Sequence, residues 1–388
     1  GFYGSSKPLS EIEMMSGGQF AEMKREAYRN NTGLTYFLPW ADVAADYSLF
    51  SPQDVEMWNS VADGYTWVDE ENRIPQTRPV TAEEREMYEA YYDKFLRRYP
   101  NPNAEVTQNL ADLRALLDDP NLEIPVYDAS KVRNTDWGDL ALQTGIKQSH
   151  QFSVSGGSDN VKVYFGGGYY DEKGIQKTQE YKRYNVKLGI DANVSDAIKV
   201  GGTINGMFSD QAYGSPLYFR AIGQIPLAIP YDANGNVILQ PGGDALIFSP
   251  LNEIEDYLDD RLINRFFGSY YADIKITDGL RYHINVGTDF REYRRGRYQG
   301  ALTSDRRGGT SWAEYYQDQR LSYVVENLLY YDKTFNDIHT IGATALYSIQ
   351  REQFESSFVN ISNLPYESQK YYNLKSSNAA GPDDFGSD

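Results

Sequence analysis

From about Gln148 onward the chain alternates apolar and polar residues with a period of two, over runs far longer than a turn or a short strand would produce. In one run Tyr184, Val186, Leu188, Ile190, Ala192 and Val194 fall on one side. Arg183, Asn185, Lys187, Gly189, Asp191 and Asn193 fall on the other. Ile198 to Phe208, Leu280 to Arg291 and Thr340 to Ile349 repeat the pattern. Successive strand side chains point to opposite faces, so these runs predict strands with one apolar and one polar face. Ordinary globular strands are about five or six residues long, and these are longer.

The connections add a second constraint. Gly157-Ser-Asp-Asn160, Ser195-Asp-Ala197, Thr277-Asp-Gly279 and Asn336-Asp-Ile338 read as tight turns. Between them lie longer stretches, at about Lys173 to Glu180, Gln211 to Asp260 and Arg297 to Gln319, and after about Glu352. In an antiparallel up-and-down meander this alternation puts every short turn at one end and every long loop at the other. That asymmetry belongs to transmembrane barrels; the strands of soluble sandwiches are shorter and lack it. Aromatics cluster near strand ends at Tyr169-Tyr170, Tyr181, Tyr184, Phe266-Phe267, Tyr270-Tyr271 and Tyr330-Tyr331. Rings at those positions suit the girdles that straddle lipid headgroups. The fold class expected is an all-β transmembrane barrel, with helical segments in its first extracellular loop.

Composition fits this class and excludes others. No apolar run approaches the roughly 18 residues of a membrane-spanning helix. A mean hydropathy of -0.60 is compatible with half-polar barrel strands. With no cysteine, the chain has neither disulfides nor thiolate metal ligands. A net charge of -18 argues against a nucleic-acid partner, which needs clustered Lys and Arg.

Ahead of Gln148 the period is helical. Ser16 precedes a run from Gln19 to Arg29, and Ser51-Pro52 reads as an N-cap before Val55, Trp58 and Val61. Thr81-Ala-Glu-Glu84 forms a capping box ahead of Met87, Tyr88, Tyr91 and Phe95. Asn109 to Asp118 reads as a fourth short helix, ended by Pro120.

The residues assign 1–6 to the end of a first barrel strand and 7–147 to an extracellular loop segment with several short helices. They assign 148–352 to barrel strands with long extracellular loops and 353–388 to the start of a further loop. About eight strands after Gln148 plus the first make nine. Bacterial single-chain barrels have an even number, and open edges cannot face lipid. The chain is therefore expected to be one piece of a larger barrel.

The residues Asp136-Trp137-Gly138-Asp139, Thr144-Gly145 and Phe152-Ser-Val-Ser-Gly-Gly157 resemble a motif train of the SusC/RagA family of TonB-dependent outer-membrane transporters. The train continues through Tyr164, Gly168-Tyr169, Gly174-Ile175, Tyr181-Lys-Arg-Tyr184-Asn185 and Lys199-Val-Gly201. Lys7-Pro8 to Met14, Phe20-Ala21 and Arg25-Glu-Ala-Tyr28 resemble the region after that family's first barrel strand. The resemblance implies part of a 22-stranded plugged barrel, with the plug domain and the second half of the barrel missing from this chain. It implies import of oligosaccharides or oligopeptides with a SusD-like surface lipoprotein. TonB, ExbB and ExbD would drive it through the missing N-terminal region, and the transporter–lipoprotein pair could form a homodimer. Outer-membrane lipid would surround the barrel in the bacterial cell. Val43 to Asn134 carries no matching motif. An alternative is a structural or scaffolding barrel subunit of an outer-membrane protein assembly; a passive porin is a third reading.

No catalytic constellation is present in the sequence, so no enzyme activity and no cofactor or metal is expected. His150, His283 and His339 are far apart, and phosphate-loop and nucleophile-elbow motifs are absent. Asp232-Ala-Asn-Gly-Asn236 resembles part of a calcium loop, but Gly235 comes too early and Asp244 stands where a Glu is needed. An Asn-Gly turn in a hairpin from Ile229 to Leu239 is the plainer reading. Candidate substrate-binding residues are Tyr213, Tyr218, Phe219 and Arg220 in one long loop, and Trp312, Tyr315 and Tyr316 in the next. Loops on a rigid scaffold concentrate function, and such aromatics can stack on sugars or peptide side chains.

Overall fold

The computed structural model describes residues 1–7, 12–30 and 36–374. Part of the expected loop 353–388 and part of the Lys7 to Met14 motif lie outside the described residues. Two compact units form, one of Gly1–Leu9, Ala141–Leu217 and Asn252–Asp388, the other of Ser10–Leu140 and Tyr218–Leu251.

The first unit is a nine-stranded antiparallel sheet. Its strands are β1 (Phe2–Ser6), β2 (Gly145–Gly157), β3 (Val161–Lys173), β4 (Glu180–Ser195) and β5 (Ile198–Ala212), followed by β6 (Tyr257–Thr277), β7 (Leu280–Gln299), β8 (Trp312–Phe335) and β9 (His339–Ser362). Each pairs only with its neighbours in this order, so β1 and β9 are open edges. The strands run from Gly145 to Ser362, wider than the 148–352 read from the sequence. All four expected tight turns form, at one end of the sheet. In the β8–β9 turn Asn336 and Asp337 both take left-handed backbone, φ 51 and 55, at the centre of a β-turn that the Ile338 N–H closes on the Phe335 carbonyl at 3.1 Å.

Residues opposite one another in the register share a face. Val163, Ile190, Gly202, Tyr270, Val286, Val325 and Ile349 form one unbroken apolar row across β3 to β9. Phe152, Val186, Phe266, Phe290 and Leu321 lie in a row nearer the long connections on the same face. Beyond it the face turns polar, with Asp171, Lys182 and Asp210 aligned. On β4 the apolar positions run from Tyr184 to Val194, about 33 Å along the strand at ~3.3 Å per residue. A tilt of about 40° reduces this to the roughly 25 Å apolar band of outer-membrane barrels. Arg183, Lys187, Arg281 and Arg291 lie on the opposite face, as the alternation requires.

The girdle reading needs one correction. Adjacent strand residues point to opposite faces, so each aromatic pair supplies only one ring to the apolar face. Tyr169 meets Tyr184 there at 5.1 Å, and Phe208 meets Phe266 at 5.2 Å. Their neighbours Tyr170 and Phe267 belong to the polar face.

The second unit is built on five helices: α1 (Gly17–Arg29), α2 (Val43–Phe50), α3 (Val55–Ala62), α4 (Ala82–Arg98) and α5 (Ala104–Asp118). Both Ser16 and Thr81 close capping boxes. Asp54, not Ser51, caps α3; Ser51 ends α2, which the sequence reading omits. The core gathers Tyr36, Phe50, Met57, Trp58, Val61, Leu113 and Leu227. Buried within it, Arg25 grips Asp46 with two bonds, 2.8 and 2.6 Å, while the Tyr65 hydroxyl donates to the same carboxylate at 2.5 Å. Residues 218–251, expected as a strand connection, are built into this unit. Ser60 Oγ donates to the Leu227 carbonyl at 2.6 Å, and Trp137 Nε1 to that of Ile225 at 3.0 Å. At Gly243, φ 74, a Cβ would come within 2.1 Å of the Gln53 carbonyl oxygen, so only glycine fits.

Candidate functional site

The polar face of β6, β7 and β8 concentrates arginine near the long-connection end. Arg261 stands opposite Arg295, and Arg295 opposite Tyr316. One row on, Ile263, Tyr293 and Asp318 align. The next row is Arg265, Arg291 and Arg320, three cations directly opposed across adjacent strands. Like charges facing each other are unfavourable, and neighbouring carboxylates offset part of the repulsion. Asp259 takes bonds from Arg295 at 2.8 and 2.7 Å and from Arg261 at 3.2 Å. Asp289 takes a bidentate pair from Arg265 at 2.9 and 2.5 Å, and Glu352 lies 3.4 Å from Arg320. Among the described residues no carboxylate pairs with Arg291, whose guanidinium lies 5.4 Å from the Tyr293 ring centre.

Three of the seven candidate residues gather at this cluster. The Arg261 guanidinium sits 3.8 Å from the ring centre of Tyr213. Trp312 opens β8 on the polar face, 4.9 Å from the Arg297 guanidinium and 5.8 Å from that of Arg306. Tyr316 meets Tyr293 at 6.0 Å. Tyr315 is adjacent in sequence but lies on the other face, opposite Gly296, with its hydroxyl 3.4 Å from Gln317. Tyr315 and Tyr316 therefore cannot contact one ligand together. The sequence reading places Arg291 on the inner face but misses the cluster. The available signal is arginine recurring at even spacings, 261 and 265 on β6 and 291, 295 and 297 on β7.

Tyr218, Phe219 and Arg220 lie in the short helix Leu217–Ala221, in the second unit. Phe219 is exposed. The Tyr218 hydroxyl accepts the Ile12 N–H at 3.2 Å and borders a cleft of about 590 Å³ lined by Met14, Phe20, Met23, Trp137 and Ile225. The Asp232 stretch is a turn: its carboxylate accepts the N–H groups of Asn234 and Asn236 at 2.8 and 2.9 Å, beside a Tyr231–Val237 bridge. These bonds explain the Asp-Asn pattern without an ion.

No family model matches the chain. It is 27% identical over 255 residues to TonB-dependent receptor P3 of Formosa agariphila, covering 62% of this chain and 25% of the relative. It is 28% identical over 272 residues to receptor P39 of the same organism, covering 66% and 25%. A stretch of 57 residues is 33% identical to TonB-dependent receptor SusC of Bacteroides thetaiotaomicron, 15% of this chain and 6% of that protein. The chain thus matches about a quarter of the length of the first two relatives. Among solved structures, the RagAB peptide transporter aligns over 100% of this chain and 38% of its own, with a TM-score of 0.61 and 13% identity. At that identity the likeness concerns fold, and it places the nine strands within the RagA type of barrel.

Proposed function

We propose that this SusC/RagA-like TonB-dependent transporter chain forms part of the wall and outer loops of an importer in the bacterial outer membrane. The substrate class is oligosaccharides or oligopeptides. The observation that carries the reading is a nine-stranded sheet with an apolar belt of membrane height on one face, arginines and tyrosines on the other, and all tight turns at one end. The apolar face meets lipid, the polar face meets the lumen, and the long connections open to the outside. Transport is gated passage rather than catalysis. A SusD-like lipoprotein is the expected lid, and the segment 43–134, packed with Tyr36 and Leu227 in the core of the helical unit, is the surface on which it docks. TonB, ExbB and ExbD supply the energy through another part of the protein, and two transporter–lipoprotein pairs form a dimer.

Uptake by cells expressing the full-length transporter tests this. Substrate accumulation should stop with a protonophore or on loss of TonB, and the lipoprotein should copurify. Deletion of 43–134 should reduce its recovery. Uptake insensitive to both treatments would point to a passive pore. An intact outer-membrane assembly with no uptake of any oligomer would favour the scaffolding alternative.

A further inference from the structure

The charge rows of β6–β8 specify what the polar face can hold. Arg261 and Arg295 share the single carboxylate of Asp259, so that row keeps one uncompensated positive charge. Among the described residues, Asp289 and Glu352 are the carboxylates that reach Arg265, Arg291 and Arg320, so that row keeps one as well. Four residues separate the two rows along β6 and β7, about 13 Å at ~3.3 Å per residue. Between them lies the row of Ile263 and Tyr293, apolar and aromatic, which ends in Asp318.

We propose that this face binds an extended oligopeptide carrying two acidic side chains four positions apart, with an aromatic or apolar residue midway. In an extended peptide, residues i, i+2 and i+4 project to one side over the same ~13 Å. Each carboxylate then meets a guanidinium fork, whose planar donors suit bidentate pairing. The central side chain packs on Tyr293, with Tyr316 beside it. Asp318 in the middle row repels a uniformly charged polyanion, while Glu314 beyond the upper row is paired with Arg297 at 3.7 Å, which is why a peptide with acids at separated points is favoured over an acidic polysaccharide. The inference rests on the importer reading and names the substrate class at its lumen face.

Binding of fluorescently labelled synthetic peptides to the purified full-length transporter tests it. A peptide with two glutamates four positions apart and a phenylalanine midway should bind about tenfold more tightly than its glutamine counterpart, or than one with adjacent glutamates, as loss of a charge-assisted pair implies. Arg291→Gln should weaken the glutamate peptide about tenfold and leave the glutamine peptide unchanged. Equal binding of all three peptides by the unaltered protein would overturn the proposal, and this comparison holds even where the variant fails to fold. Tighter binding of an oligouronate would overturn the choice of peptide. Energised uptake of neutral peptides without preference for acidic ones would remove this inference alone, whereas absence of any energised uptake would remove the importer reading.

Discussion

The two units solve the burial of apolar surface in opposite ways. In the helical unit Trp58, Tyr36 and Phe50 are almost wholly enclosed by the unit's own residues. In the sheet, Val154, Ile190, Ile341 and Tyr347 are each more than half exposed. The helical unit carries its core with it. The sheet presents an ordered apolar face that only an external apolar medium can cover, and contiguous patches of that size are rare on soluble proteins. Hydrophobic residues recur with a helical period in one region and a period of two in the other; protein covers them in the first, and the proposed importer leaves lipid to cover them in the second.

Substitutions that separate these two modes test the contrast. The largest effect is expected inside the helical core. Asp46→Ala leaves Arg25 buried without its partner, and breaking such a pair costs about 3–5 kcal/mol. Limited proteolysis of the full-length protein should then cut within 12–140 while the heat-resistant barrel band persists; equal loss of both would mean the units do not melt separately.

A smaller effect is expected on the sheet, and only on one face. Val286→Arg should lower barrel stability in bilayers by about 2–4 kcal/mol, whereas Asn285→Arg, one residue away on the polar face, should cost far less. Urea titrations of both variants refolded into lipid vesicles measure the difference. Matching losses would contradict the assignment of faces.

Capping gives the next step down. Thr81→Ala removes the side-chain acceptor at the start of α4, at a cost of about 1 kcal/mol. Thermal melts should show it in the helical transition and not in the barrel transition.

The smallest effect is a pH dependence. Glu84 accepts bonds from Arg78 and closes the Thr81 box, and these partners depress its carboxyl from 4.5 to about 2. A depressed carboxyl contributes stability that is complete above the unfolded value and lost as pH falls toward the folded one. The helical unit should therefore lose melting temperature between about pH 4.5 and 2, and Glu84→Gln should flatten that slope. Because the pair is partly exposed to solvent, the change is small.

Strand positions were legible because period-two alternation is local, and turns such as Thr277-Asp-Gly279 carry their own backbone chemistry. The capping boxes at Ser16 and Thr81 were legible for the same reason. Helix α2 was not, because Val43, Ala44, Ala45, Leu49 and Phe50 spread apolar residues around it, whereas the equally short α3 keeps Trp58 and Val61 in one stripe. The packing of 218–251 with the helices was hidden because it depends on tertiary contacts such as Ser60 to Leu227. The candidate site was half visible. Tyr213, Trp312 and Tyr316 meet the arginine cluster, but the row Arg265–Arg291–Arg320 exists only once three strands are in register. Tyr315 shows the limit of reading adjacent aromatics as a pair, since alternation sends neighbours to opposite faces.

The most direct test uses the absence of cysteine from the chain. Single variants Lys187→Cys and Leu188→Cys of the full-length transporter, with any cysteine outside this segment replaced, are placed in lipid vesicles. Each is treated with a water-soluble maleimide and, separately, with a lipid-dissolved one. Lys187→Cys should react with the aqueous reagent and Leu188→Cys with the lipid-borne one. Aqueous labelling at Leu188→Cys with lipid labelling at Lys187→Cys, or aqueous labelling of both, would contradict a membrane wall with this register.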